Sequence, residues 1–123
     1  MSTENLKKRI EMKIALATNG ENLKAKIALH FGRANNFLVY DTETKSFEIC
    51  SNPEVTGGAK LPPDFLHYQE VAAVIAFSLG PMAFEKFEKF GIKTYKAIEG
   101  TISENIKLLE EAKLSPLNKE DIF

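Results

Sequence analysis

The sequence predicts an α/β fold, a three-layer sandwich built on a five-stranded mixed sheet. Residues 71–77 are nearly all apolar, which is typical of a strand buried on both faces at the centre of a helix-covered sheet. From residue 62 onward, strand and helix patterns alternate at short spacing, which favours parallel strands. Two earlier apolar runs flank a polar turn, and they predict a β-hairpin over residues 36–51 that adds an antiparallel edge.

The remaining strands follow from short apolar runs bounded by turn residues. The first is predicted over residues 12–18 and ends at the turn signal Asn19-Gly20. The hairpin strands are predicted at residues 36–40 and 46–51, and Asn52-Pro53 ends the second of them. Residues 92–95 form the last predicted strand, which completes the five.

Three helices are predicted from their start and stop signals. The first begins at residues 62–64, because proline is tolerated in a first helical turn. The second opens at Gly80-Pro81 and carries Phe84, Phe87 and Phe90 along one stripe, with the charged residues 85–86 and 88–89 on the opposite side. Gly91 is placed to end that helix in the left-handed conformation. Thr101 and Glu104 predict a capping box at the start of the third helix.

Length and composition predict one domain of 123 residues, divided into an N-terminal extension (1–11), the domain (12–113) and a C-terminal tail (114–123). Sixteen basic and seventeen acidic side chains leave a formal charge of −1, so we expect no nucleic-acid partner and no binding to anionic membranes. We also expect no membrane span and no signal peptide. The single cysteine, Cys50, excludes an internal disulfide and favours a reducing, cytoplasmic location.

The loop before the hairpin carries the most informative motif, His30-Phe31-Gly32-Arg33. Arginine offers a planar fork of donors to anions, and histidine offers a proton or a metal ligand. Glycine lets the backbone approach a ligand closely or adopt a positive φ. The alternative is that His30 and Arg33 are ordinary loop polar groups and that Phe31 plugs the edge of the core.

A second candidate feature is the turn Ser78-Leu79-Gly80-Pro81, whose N–H groups at a helix start form a ready anion site. Taken alone, the pattern favours a plain strand-to-helix turn, in which glycine serves the backbone geometry and proline is the first helical residue. We interpret Cys50 as a small strand residue and His67 as a surface or capping group. Nucleophilic and paired-carboxylate catalysis find no support in the residue pattern, and the His, Cys and Met residues show no metal-binding spacing.

Together, several segments resemble the dinitrogenase iron–molybdenum cofactor biosynthesis family, the small NifX-type domains. The resemblance runs from Met12 to about Leu109 and rests mainly on the His-Phe-Gly-Arg loop and on the turn Leu79-Gly80-Pro81-Met82-Ala83-Phe84, in this order and separation. It implies a ribonuclease-H-like fold. It also implies a non-catalytic carrier or chaperone for an iron–sulfur or iron–molybdenum type cluster or precursor.

The implied cluster is anionic, so an arginine and a helix N-terminus would stabilise it, and a histidine could ligate iron exchangeably. The predicted metal ligand is His30. The candidate cofactor-binding residues are His30, Gly32, Arg33, Asn19, Gly57, Gly58, Ser78 and Gly80.

One departure keeps two alternatives open. Many relatives carry His or Cys in the glycine-rich loop before the first helix, whereas residues 55–63 have neither. This favours, as an alternative, a metal-free interaction or regulatory module that binds a protein partner. A nuclease would need clustered carboxylates, one of them on the first strand, and residues 13–18 contain no acid.

Overall fold

In a computed structural model, which describes residues 12–56 and 61–122, five strands form one mixed sheet. The N-terminal extension predicted at residues 1–11 lies outside the described residues. The strands are β1 (Lys13–Thr18), β2 (Asn36–Asp41), β3 (Ser46–Ser51), β4 (Ala73–Ala76) and β5 (Lys93–Lys96). The sheet order is β3-β2-β1-β4-β5. The hairpin of β2 and β3 is antiparallel and the C-terminal strands β4 and β5 are parallel, as predicted; β1 pairs antiparallel with β2 and parallel with β4.

The helices begin and end close to the predicted residues. They are α1 (Pro53–Thr56), α2 (Pro62–Tyr68), α3 (Pro81–Lys89) and α4 (Ile102–Glu110). Gly91 has φ +75° and ends α3 in the left-handed conformation, as its position predicts. The capping box is confirmed: the Thr101 hydroxyl accepts from Glu104 N–H, and the Glu104 carboxylate accepts from Thr101 N–H, which lowers the pKa of Glu104. Among these four helices of the described residues, α1 was not predicted.

Both faces of the sheet are covered, which gives three layers. Along β1 the side chains alternate, so that Ala15 and Ala17 face one core and Ile14 and Leu16 face the other, all of them buried. The first core is completed mainly by α2 and α3, through residues such as Leu66 and Phe87. The second is completed mainly by α4, through Ile102 and Ile106. The α/β sandwich is therefore confirmed, and the ribonuclease-H-like assignment stays a prediction.

The prediction that residues 71–77 form the central strand is wrong. The strand covers only residues 73–76, and the central position belongs to β1, because the hairpin adds two strands on the far side of β1. The apolar run reflects burial on both faces, which β4 shares with β1 because both strands contribute side chains to the two cores.

The segment predicted as a C-terminal tail lies against the sheet. Ser115 O accepts a hydrogen bond from Lys96 N–H, and Leu117 N–H donates to Thr94 O. Asp121 is buried and accepts from Lys96 Nζ at 2.6 Å, which is the main reason why the pKa of Asp121 is lowered. Residues 115–117 therefore cover the free edge of β5. Within the described residues, no helix is both long and apolar enough to cross a membrane.

Candidate functional site

A cleft of about 480 Å³ opens near the ends of β1 and β4, between the His30–Arg33 loop and the start of α3. We call it the loop–helix cleft. It lies where open α/β sheets take their ligands, beyond the carboxyl ends of parallel strands. The lining residues are His30, Phe31, Gly32, Arg33, Glu54, Leu61, Pro62, Pro63, Ser78, Leu79, Gly80, Met82, Ala83 and Lys86.

The loop wall is held in place by Phe31. Residues 31–33 form a 3₁₀ turn, and the Phe31 ring is buried against Phe37 at 4.9 Å and edge-on to Phe87 at 5.9 Å between ring centroids. These contacts anchor the turn to the sheet and to α3. Because Phe31 points inward, its neighbours His30, Gly32 and Arg33 are exposed along the cleft. The proposed core-plugging role of Phe31 and a ligand-facing role of its neighbours are therefore compatible.

Asn52 is the second anchor of this loop. It is fully buried, and its Nδ2 donates to Gly32 O at 3.1 Å and to Ala34 O at 2.8 Å, while its Oδ1 accepts from Glu54 N–H at 3.0 Å. The backbone N–H of Asn52 also donates to Asn35 O at 2.9 Å. One side chain thus joins the loop to the end of β3 and the start of α1.

The opposite wall is the start of α3. Gly80 is the N-cap residue, Pro81 follows, and no described side chain caps this end. Since the first helical hydrogen bond runs from Phe84 N–H to Gly80 O, the N–H groups of Met82 and Ala83 have no partner within the helix. Both residues line the cleft. This wall can accept a negatively charged or hydrogen-bond-accepting group.

Charged side chains of both signs border the cleft. Arg33 and Lys86 line it together with the acidic Glu54. Lys86 Nζ makes a salt bridge of 2.6 Å to Asp64 Oδ2, in the first turn of α2. Two cations and two acids thus border the cleft, with Lys86 paired to Asp64, and most of the remaining lining is apolar or backbone.

The structure brings together most of the predicted site residues. His30, Gly32, Arg33, Ser78 and Gly80 line the loop–helix cleft. Asn19 lies instead in an adjoining depression that also includes His30 and Arg33, and its Oδ1 accepts from Asn35 N–H at 3.0 Å. Gly57 and Gly58 lie outside the described residues. The φ of Gly32 is not in the left-handed region, and an added Cβ would meet nothing within 4 Å.

Sequence reasoning missed Glu54, Lys86 and Met82 as cleft residues. Lys86 was assigned to the charged side of α3, and its pairing with α2 is a tertiary contact without a sequence signal. Met82 directly follows Pro81, so its place in the first turn of α3 was the available clue.

The donor set for a metal is small. Among the residues that the structure describes, no group of three or more His, Cys, Asp or Glu side chains could hold a metal ion. Cys50 packs beside the core on β3, where burial, and secondarily the Glu48 carboxylate, raises the pKa of its thiol. His30 is the one imidazole among the residues that line the cleft. A group bound here would therefore depend mainly on hydrogen bonds and charge.

The fold and the cleft define a small α/β domain of the kind that takes ligands beyond the carboxyl ends of its strands. The chain belongs to the dinitrogenase iron–molybdenum cofactor family, whose model matches residues 12–112. The family membership expected from the two motifs is thus confirmed.

Relatives agree with this assignment. An uncharacterized protein of Methanocaldococcus jannaschii is 34% identical over 109 residues, which cover 84% of this chain and 89% of that protein. A candidate NifB protein of Thermotoga is 30% identical, with a TM-score of 0.75 and coverage of 86% and 93% of the two chains. The apo form of the orange protein from Desulfovibrio gigas shares the fold, with a TM-score of 0.78, 21% identity and coverage of 87% and 93%. The family connects the chain to the iron–molybdenum cofactor of dinitrogenase.

Proposed function

We propose that the protein is a non-catalytic carrier that holds an anionic iron–sulfur or iron–molybdenum type cluster, or a precursor of one, in the loop–helix cleft. The observation that carries this proposal is that Arg33, His30 and the start of α3 all line one cleft. Family membership supplies the class of ligand. We place the carrier in the cytoplasm, with no nucleic-acid or membrane partner.

The size of the cleft supports a ligand larger than a single ion. At about 480 Å³ it falls within the usual range of small-molecule sites, roughly 300–1,000 Å³. A bare metal ion would need closely spaced ligands, whereas the donors here are spread over a loop and a helix start. A compact polyatomic anion can contact both walls together.

The chemistry of the lining supports binding without permanent ligation. Arg33 offers a guanidinium fork, and Met82 and Ala83 offer backbone N–H groups, all of which suit the sulfur or oxygen atoms at the surface of an anionic cluster. His30 would be the single exchangeable ligand to iron. With one imidazole and no thiolate in the described lining, the cluster can be released intact to a partner.

Reconstitution under anaerobic conditions with iron and sulfide tests the proposal. After desalting, the wild-type protein is expected to retain iron and sulfide and to show cluster absorbance, and Arg33→Ala and His30→Ala are expected to retain several-fold less. Lys107→Ala, on the exposed side of α4, and Lys93→Ala, on β5, are the controls, because both remove an exposed cation that does not line the cleft. If wild type retains no iron, or if the controls lose as much as the cleft variants, the proposal is wrong.

Gly32→Ala provides a sharper test of close approach. Because a Cβ at Gly32 would meet open space and the φ is ordinary, this variant is expected to keep the stability of wild type. The new methyl group would occupy space at the cleft, so retention of the cluster should fall. Unchanged retention would mean that the ligand does not contact this turn.

A metal-free interaction module remains the second candidate. Leu61 and Met82 line the cleft while 41% and 65% exposed, and such apolar exposure is typical of contact surfaces. A stoichiometric protein partner recovered from metal-free lysate, and lost on Met82→Gln, would favour this function. Full cluster retention by Met82→Gln would favour the carrier.

A further inference from the structure

Lys86, one of the two cationic residues that line the loop–helix cleft, forms a salt bridge with Asp64. Lys86 Nζ lies 2.6 Å from Asp64 Oδ2. Lys86 belongs to α3 and lines the cleft, whereas Asp64 stands in the first turn of α2. The two side chains are 31% and 35% exposed, so the pair borders both the cleft and water.

We propose that Asp64 sets the anion affinity of the cleft by competing with the ligand for Lys86. The ammonium group of Lys86 donates to Asp64, and an anion in the cleft would offer a rival acceptor. Lys86 is then a ligand-binding residue, and Asp64 is a positioning residue that acts through it. The inference rests on the proposed function only in taking the ligand to be an anion.

The chemistry of lysine makes this exchange feasible. Its ammonium group has three donors on a flexible four-carbon stem, so it can turn toward a ligand without a backbone shift. Asp64 is partly exposed and can be hydrated when the lysine turns away. The contact between α2 and α3 does not depend on the ion pair alone, because the rings of His67 and Phe90 stack with centroids 4.0 Å apart and planes 4° from parallel.

The charge balance explains why Asp64 matters. Arg33 and Lys86 face the cleft together with the acidic Glu54, and Asp64 is the second acid that offsets these cations. Replacing Asp64 by asparagine removes one negative charge and the strongest competitor for the lysine. From the usual strength of partly exposed ion pairs, up to about 1 kcal/mol, we expect about a two- to fivefold gain in affinity for a dianion.

Titration with inorganic molybdate, followed by the amide signals of Gly32 and Met82 at low ionic strength, tests the proposal. Asp64→Asn is expected to bind molybdate about two- to fivefold more tightly than wild type, and Lys86→Gln more weakly by a similar factor. In the double variant the gain from Asp64→Asn should largely disappear, since Asp64 acts through Lys86. Glu85→Gln, an exposed acid on the same helix, controls for net charge and should leave the affinity nearly unchanged.

The proposal is wrong if Asp64→Asn gains no affinity for molybdate, or if neither wild type nor Asp64→Asn binds molybdate. It is also wrong if the full gain in affinity persists in the double variant with Lys86→Gln, or if Glu85→Gln gains as much. Thermal unfolding of each variant checks that the fold is intact. The carrier function fails separately. If the protein shows the expected molybdate pattern but retains no iron–sulfur cluster, the carrier function is wrong, whereas the competition between Asp64 and an anion for Lys86 is supported.

Discussion

Asn52 should support both the stability of the domain and the shape of the cleft. Its buried side chain makes hydrogen bonds to Gly32 O, Ala34 O and Glu54 N–H. Each is worth about 1 kcal/mol, so Asn52→Ala should lower the free energy of unfolding by about 3 kcal/mol. For a chain of 123 residues this corresponds to a melting temperature lower by about 10 °C.

Asn105→Ala is the matched comparison. Asn105 is also fully buried, and it bonds Ile98 N–H, Ile98 O and Thr101 O, none of which belongs to a cleft residue. Urea unfolding should therefore show similar losses for both variants. Hydrogen exchange should speed up at the loop that contains Gly32 in Asn52→Ala only. A loss below about 1 kcal/mol, or equal loosening of that loop by Asn105→Ala, would refute this account of Asn52.

Two further predictions concern titratable groups outside the cleft. Because the hydrogen bond from Lys96 lowers the pKa of Asp121, the stability that Asp121 contributes is complete above the ordinary aspartate pKa of about 3.9 and is lost as the pH falls through the lower folded value. Urea midpoints below about pH 4 should therefore fall less steeply in Asp121→Asn than in wild type, and equal slopes would contradict this. Because burial and the Glu48 carboxylate raise the pKa of Cys50, its thiol should react more slowly with a disulfide reagent at pH 8 than in the urea-unfolded chain; Glu48→Gln should speed the reaction, and an unchanged rate would assign the effect to burial alone.

Local signals predict the elements of this fold well, because the residues that define them act within a few positions. Gly91 ends α3 through its own backbone, and the capping box at Thr101 needs only Glu104. Strand order is different, since it depends on which strand the hairpin joins. A strand buried on both faces has the same apolar sequence whether it is the central strand of the sheet or the strand next to it. The apolar run at residues 71–77 therefore could not show that β1, and not β4, is central.

Part of the cleft was predictable from the order of the strands and helices. The motifs at Arg33 and Gly80 lie on loops whose position follows from the α/β topology, so their meeting could be expected. The contacts that shape the cleft could not. Asn52 beside a proline indicates a turn, and only the folded chain turns its amide toward the loop that contains Gly32. In the sequence, Lys86 follows the pattern of a solvent-exposed residue; its contact with Asp64 forms only when α2 packs beside α3.

A carrier has to bind its cargo and also give it up, and the composition of the cleft bears on that balance. Thiolate ligands would hold iron firmly, whereas the described lining offers one imidazole, one guanidinium, one lysine that is already paired and the N–H groups of a helix start. Each of these contacts is individually weak and can be replaced by water or by a partner's own ligands. If the cargo is a preformed anionic cluster, the bonds within the cluster already exist. The cleft then needs only to match the charge and size of the cluster. Under the proposed function, release would proceed by competition: Asp64 would compete with the cargo for Lys86, and a receiving protein would supply ligands of its own.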